Sequence, residues 1–200
     1  MVSPPARDRF DTARLINIAN GLTAARVLLV PYFAYLLISG REKAALLVFV
    51  VCGLTDALDG LLARWLRQRS LAGTLLDPIA DKLLMATAFI VLTYIHVVPL
   101  RLVIMVISRD VIILVGSFLY LLLFDASDIR PTALSKANTV IQILTVIYFL
   151  FVAAFPMEAS ALGAGAGSLP DRAVTLVCAV TTVVSGLQYL YIGIRKLSNA

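Results

Sequence analysis

The stretch TDALDGLLARWLRQRSLAGTLLDPIAD, residues 55–81, sets four aspartates close together in a chain with only 12 acidic residues among 200. Its flanks are almost wholly apolar. Asp56 and Asp59 stand three apart, and Asp77 and Asp81 four apart. Each pair therefore shares one face of a helix. The linking segment RQRSLAG is short, so the two helices are expected to be antiparallel neighbours with both pairs at similar depth. That arrangement builds an oxygen-rich cage suited to hard divalent cations such as Mg2+ or Mn2+.

The surrounding composition gives the carboxylates their meaning. Hydrophobic residues make up 60% of the chain and charged residues 14%, where a soluble domain carries about 25% charged residues. Mean hydropathy is +0.95. Several apolar runs reach the roughly 20 residues needed to cross a bilayer. The expected fold is an all-α integral membrane protein with six transmembrane helices: Leu22–Ile38, Ala44–Trp65, Thr74–Tyr94, Leu100–Phe124, Lys136–Phe155 and Ala173–Ile194. Before them, RDRFDTARLI places Phe10, Ala13, Ile16 and Asn17 near one face, which fits an N-terminal amphipathic helix at the membrane interface. The expected organisation is a tail and juxtamembrane helix over 1–21, followed by one six-helix domain over 22–200. The segment PMEASALGAGAGSLPD, 156–171, reads as a flexible loop.

The net charge of +5 is a statement about topology rather than nucleic-acid binding. Arg7, Arg9, Arg14, Arg64, Arg67, Arg69, Arg130, Lys136, Arg195 and Lys196 fall on one side, and Arg41, Lys43, Arg101 and Arg172 on the other. The positive-inside rule then places both termini and the aspartate-bearing loop in the cytoplasm, in an inner or cytoplasmic membrane. Cys52 and Cys178 lie in apolar runs, with neither disulfide nor metal-site spacing. His96, the single histidine, belongs to no motif. No secretory signal peptide is expected in residues 1–20.

A charge at mid-membrane costs about 2.5–3.5 kcal/mol, so four aspartates must face one cavity and hold cations there. Gly60 and Ala63 make a smooth stripe beside Asp56, and Gly73 precedes Asp77 by one turn. Small side chains admit a ligand, and equally admit ordinary helix packing. Arg64 is either a topology charge or a phosphate contact.

The pattern Asp56-x2-Asp59-Gly60-x2-Ala63-Arg64-x8-Gly73-x3-Asp77-x3-Asp81 resembles, without departure, that of the CDP-alcohol phosphatidyltransferase family. The resemblance implies a six-span core with an amphipathic N-terminal helix, and a homodimer. It implies an enzyme that takes a CDP-linked lipid and an alcohol, makes a phosphodiester, releases CMP and uses two divalent cations. Two metals neutralise a diphosphate and stabilise the attacking and leaving oxygens of a displacement. Carried onto this chain, Asp56, Asp59 and Asp77 are metal ligands. Asp81 matches the position of the general base, with metal contact also open to it. Gly60, Ala63, Arg64 and Gly73 line the CDP pocket. Asn20, Thr23 and Arg26 in NGLTAAR resemble a family pattern that supports the nucleotide site; the plainer reading is a helix cap and a snorkelling arginine. Lys82 reads as a bystander.

Arg109 lies inside the fourth span, and an intramembrane arginine should face a polar cavity. By resemblance to phosphate-acceptor members, Arg109 and Lys136 bind the acceptor's phosphate; the plainer reading of Lys136 is a membrane anchor. Residues 81–120 and 130–143 look most like the branch of mitochondrial-type cardiolipin synthases and their bacterial relatives. The implied substrates are CDP-diacylglycerol and phosphatidylglycerol. sn-Glycerol 3-phosphate, the acceptor of phosphatidylglycerophosphate synthases, is the alternative. Two other classes use intramembrane carboxylates. Membrane prenyltransferases place their second aspartate motif far along the chain, and divalent-cation transporters need a path across the bilayer and show repeats.

Overall fold

A computed structural model describes residues 18–66, 71–123, 132–165 and 167–198, with side chains described over 28–55, 82–116, 132–165 and 167–193 and at Arg195. Among the described residues seven helices follow in order: α1 (Ile18–Ile38), α2 (Glu42–Leu66), α3 (Leu71–Tyr94), α4 (Leu100–Leu123), α5 (Ala133–Ala154), α6 (Pro156–Ala161) and α7 (Leu169–Ser198). No strand occurs among the described residues. Each expected span coincides with one long helix, and the ends differ by four residues or fewer. The proposed amphipathic segment before α1 lies outside the described residues.

Length and polarity suit two of these helices to a bilayer. At 1.5 Å per residue, the 22 residues of α5 extend about 33 Å, against a hydrocarbon thickness of about 30 Å. Among the described residues, Ala133–Ala154 and Leu169–Gly193 are long and apolar enough to cross a membrane, and Leu28–Ile38 and Lys82–Tyr94 form shorter apolar stretches. The outer surface agrees: Leu176, Val177, Val180, Val183, Val184 and Leu187 are all exposed on α7. A soluble monomer rarely leaves an apolar face of that extent to water.

Helical periodicity selects the inward faces. Phe33, Leu36 and Leu37 of α1 meet Ala45, Phe49 and Cys52 of α2, together with Leu84, Met85, Ala88, Phe89 and Leu92 of α3. These positions recur at intervals of three and four, which line one stripe of a helix. Helix α1 packs on both α2 and α3, α5 packs on α2, α3 and α7, and α4 packs mainly on α7. The α4–α7 approach is close because Gly116 lacks a side chain: a Cβ there would come 2.9 Å from a ring carbon of Tyr189. Lys43 of α2 also sits over the Phe155 ring at the end of α5, 4.9 Å from its centroid.

The turns are closed by backbone geometry. Gly40 ends α1 at φ +69°, and Arg41 N–H donates to Leu36 O at 2.9 Å. That is a left-handed helix cap, for which glycine is favoured. His96 does the same after α3 at φ +62°, with Val97 N–H donating to Leu92 O at 2.9 Å. Histidine is among the residues that tolerate this conformation best after glycine. The only histidine of the chain thus has a turn position to account for it.

The stretch 156–171, expected to be a flexible loop, is more structured than that. Pro156 opens the short helix α6, where its missing N–H leaves nothing unsatisfied, and Glu158 stands in the first turn. Ala159 and Ala164 are buried. Asp171 accepts hydrogen bonds from Tyr148 Oη at 2.7 Å and from Gly165 N–H at 3.4 Å. These bonds tie the segment back onto α5.

Candidate active site

The motif residues fall on three helices that share a core. Asp56, Asp59, Gly60, Ala63 and Arg64 lie on α2, Gly73, Asp77 and Asp81 on α3, and Asn20, Thr23 and Arg26 on α1. Because α1 packs against both α2 and α3, one bundle carries all eleven. Their side chains lie outside the described residues, so their convergence is taken up as a proposal below. Among the described residues, no group of three or more His, Cys, Asp or Glu side chains could hold a metal ion.

One residue beyond Asp81, the described structure begins with a charged network. Lys82 Nζ donates to Asp110 Oδ2 at 2.7 Å. Arg109 Nη1 donates to the other oxygen, Asp110 Oδ1, at 2.8 Å. Arg109 Nη2 donates to Ser135 Oγ at 2.7 Å and to Ser185 Oγ at 2.8 Å. Helices α3, α4, α5 and α7 are thereby joined at one level. Lys82 is not a bystander: it holds one side of a shared carboxylate. A lysine in an apolar setting needs such a partner to offset the loss of water.

Arg109 is 5% exposed, which is tolerable only with partners of this kind. Its stem packs against Gly186 of α7, where a Cβ would lie at an ordinary contact distance, 3.5 Å, from Arg109 Cγ. Arg109 Nε is buried and has no partner among the described residues. Lys136 sits on the first turn of α5, next to Ser135 in the chain, with its side chain exposed. The structure brings Ser135 to Arg109 and leaves Lys136 on the surface beside it.

The network continues as a polar stripe between α5 and α7. Thr132 caps α5 by accepting from Ser135 N–H at 3.1 Å, and its hydroxyl donates to Gln188 Oε1 at 3.1 Å. Thr182 Oγ1 donates to Asn138 Oδ1 at 3.2 Å and accepts from Gln142 Nε2 at 3.5 Å. Asn138, Gln142, Thr182 and Ser185 are all buried. The sequence reading passed over these residues. Their signal was polar residues at helical spacing inside apolar spans, which places them on the bundle interior.

A cleft of about 850 Å³ lies elsewhere, lined by Thr93, His96, Arg101, Phe149, Arg172 and Leu176 among others. Thr93 is twelve residues along α3 from Asp81, about 18 Å by helix rise. None of the described residues lining the cleft belongs to the motif.

Long helices with exposed apolar faces, two of them apolar enough to cross a bilayer among the described residues, fit a helical membrane protein. The sequence model of CDP-alcohol phosphatidyltransferases matches residues 16–184, and the chain belongs to that family. It is 34% identical over 193 residues to a human cardiolipin synthase (CMP-forming), covering 88% of this chain and 62% of the human protein. A cardiolipin synthase (CMP-forming) from Streptomyces coelicolor is 37% identical over 113 residues, 54% of this chain and 53% of that protein. An Escherichia coli CDP-diacylglycerol–glycerol-3-phosphate 3-phosphatidyltransferase is 33% identical over 180 residues, 87% of this chain and 93% of that protein. The chain thus spans about three fifths of the length of the human relative it matches.

Proposed function

We propose that the chain transfers the phosphatidyl group of CDP-diacylglycerol to the free glycerol hydroxyl of phosphatidylglycerol, forming cardiolipin and releasing CMP. The observation that carries this reading is the eight-position motif from Asp56 to Asp81, set on α2 and α3 within the family match. The similarity to relatives named cardiolipin synthase supports the acceptor. The similarity to the Escherichia coli protein favours sn-glycerol 3-phosphate as a second reading. In this proposal the chain has six spans and an N-terminal interfacial helix, with 1–21 before the catalytic domain of 22–200. Both termini and the site face the cytoplasm, and the protein is a homodimer.

The roles follow from the chemistry of each side chain. Asp56, Asp59 and Asp77, with Asp81 within reach, would hold two divalent cations, Mg2+ or Mn2+. Four carboxylates without a thiol or imidazole in the motif fit hard ions of that kind. Bound there, the cations would neutralise the diphosphate and stabilise the charge on the leaving CMP. Gly60, Ala63 and Gly73 leave space for the nucleotide, and Arg64, Asn20, Thr23 and Arg26 offer it polar contacts. Asp81 takes the proton from the acceptor hydroxyl. The hydroxyl oxygen bonds to the phosphorus that carries the diacylglycerol. The bond from that phosphorus to the oxygen of CMP breaks, and CMP leaves with that oxygen.

Arg109 and Lys136 bind the acceptor's phosphate in this reading. The buried Nε of Arg109, without a partner among the described residues, is a donor that a phosphate oxygen would satisfy. Arg109→Lys is expected to raise the acceptor's KM by about tenfold, because an ammonium does not reproduce the planar fork. The KM for CDP-diacylglycerol should stay near its original value. Initial rates with each substrate varied in matched micelles measure this. A rise confined to CDP-diacylglycerol would assign Arg109 to the other substrate. The same assay with glycerol 3-phosphate in place of phosphatidylglycerol decides the acceptor. Product from glycerol 3-phosphate alone would select the second reading.

A further inference from the structure

We propose that Asp110 is a positioning residue for the acceptor site, holding Arg109 in its binding orientation and linking it to the helix that carries Asp81. The inference rests on the reading of Arg109 given above. Its ground is the sharing of a single carboxylate. Oδ2 accepts from Lys82 at 2.7 Å and Oδ1 from Arg109 at 2.8 Å, so neither oxygen is free to turn without breaking a charge-assisted bond. Arg109 is held from three directions, by Asp110, Ser135 and Ser185. Those partners fix the guanidinium plane and leave Nε as the nitrogen with no partner among the described residues.

Fold stability alone is a poor reason for such a cluster. Ion pairs taken out of water commonly give little net stability over well-packed apolar side chains. What a braced ion pair does supply is orientation. A binding group is effective when its own geometry is locked by neighbouring contacts. Lys82 adds the second half of the device. It directly follows Asp81 on α3, while Arg109 and Asp110 are on α4, so the Lys82–Asp110 bond sets the spacing between the base-bearing helix and the acceptor-binding helix. Helices α3 and α4 are joined at the far end by the His96 turn. A second tie near Asp81 therefore fixes their relative position at the reacting end.

The test uses the purified full chain in matched micelles, with Asp110→Asn, Asp110→Glu, Lys82→Met and the Asp110→Asn/Lys82→Met pair. Asp110→Asn should raise the acceptor's KM by about tenfold, the scale of one lost hydrogen bond between charged groups. The KM for CDP-diacylglycerol should change by less than about twofold, within the range of a side chain that makes no contact with that substrate. Asp110→Glu should recover most of the loss. Lys82→Met, at a partly exposed position, should shift the acceptor's KM the same way by about threefold. The pair should be no worse than Asp110→Asn alone, since both break one connection. A readout apart from turnover is thermal protection of the protein by glycerol 3-phosphate, a soluble stand-in for the acceptor's headgroup. Asp110→Asn should lose that protection, read as the ligand-induced shift from the variant's own unliganded melting temperature, which itself falls because Arg109 and Lys82 lose their shared carboxylate. An unchanged acceptor KM, or equal rises in both KM values, would overturn the proposal. If Asp110→Asn does not fold, an unshifted acceptor KM in Lys82→Met overturns it equally. Wild-type protein that is protected by glycerol 3-phosphate yet releases no CMP would refute the proposed reaction and leave the positioning role to the protection assay. Wild-type protein without protection by this probe would refute the positioning role.

Discussion

Asp81→Asn is expected to lower turnover by about 10²- to 10⁴-fold, the usual contribution of a positioned general base. The amide keeps the size of the carboxylate and cannot accept the hydroxyl proton. CDP-diacylglycerol should still bind, since Asp56, Asp59 and Asp77 remain. The expected signature is a fall in kcat with little change in the KM for the CDP-lipid. Single-turnover CMP release, measured beside thermal protection by CDP-diacylglycerol, separates the two effects. Near-normal kcat in Asp81→Asn would remove the base from this position. No histidine lies within the motif to take over the role.

Removing divalent cations should abolish turnover, and restoring Mg2+ or Mn2+ should recover it. Without cations, four carboxylates on neighbouring helices would face an anionic diphosphate with nothing to offset the repulsion. Asp56→Asn and Asp59→Asn should weaken cation and nucleotide binding together, unlike Asp81→Asn. The measurement is CMP release against free Mg2+ after exhaustive chelation, with the cation midpoint compared between variants. Full turnover in metal-free buffer would contradict the assignment of the aspartates.

The sequence made the long helices and the motif legible for the same reason: both are local patterns. An apolar run bounded by charges marks a helix of membrane length, and aspartates at intervals of three and four mark one face of it. The network around Arg109 was not local. Lys82 and Asp110 are 28 residues apart, and Arg109 and Ser185 are 76 apart. Nothing in the spacing of Lys82 points to Asp110. Arg109 itself was found because a buried charge inside a span demands a partner. The stripe of Ser135, Asn138, Gln142, Thr182 and Ser185 was findable from its helical spacing, although apolar neighbours dominate those spans. Helix α6 was missed because the Gly, Ala and Ser of 159–168 outweighed Pro156 and Glu158, which were sufficient to start a turn. Asp171 looked like a loop residue and is instead buried against Tyr148 and Gly165.

The stoichiometry of CMP release tests the account most directly. Purified protein is supplied with CDP-diacylglycerol, phosphatidylglycerol and Mg2+ or Mn2+, and CMP and the lipid products are quantified together. Phosphatidyl transfer requires one CMP for each cardiolipin formed, and no CMP when phosphatidylglycerol and every other acceptor alcohol are left out. CMP released without acceptor, with phosphatidic acid accumulating in its place, would show hydrolysis rather than transfer and would contradict the proposed reaction.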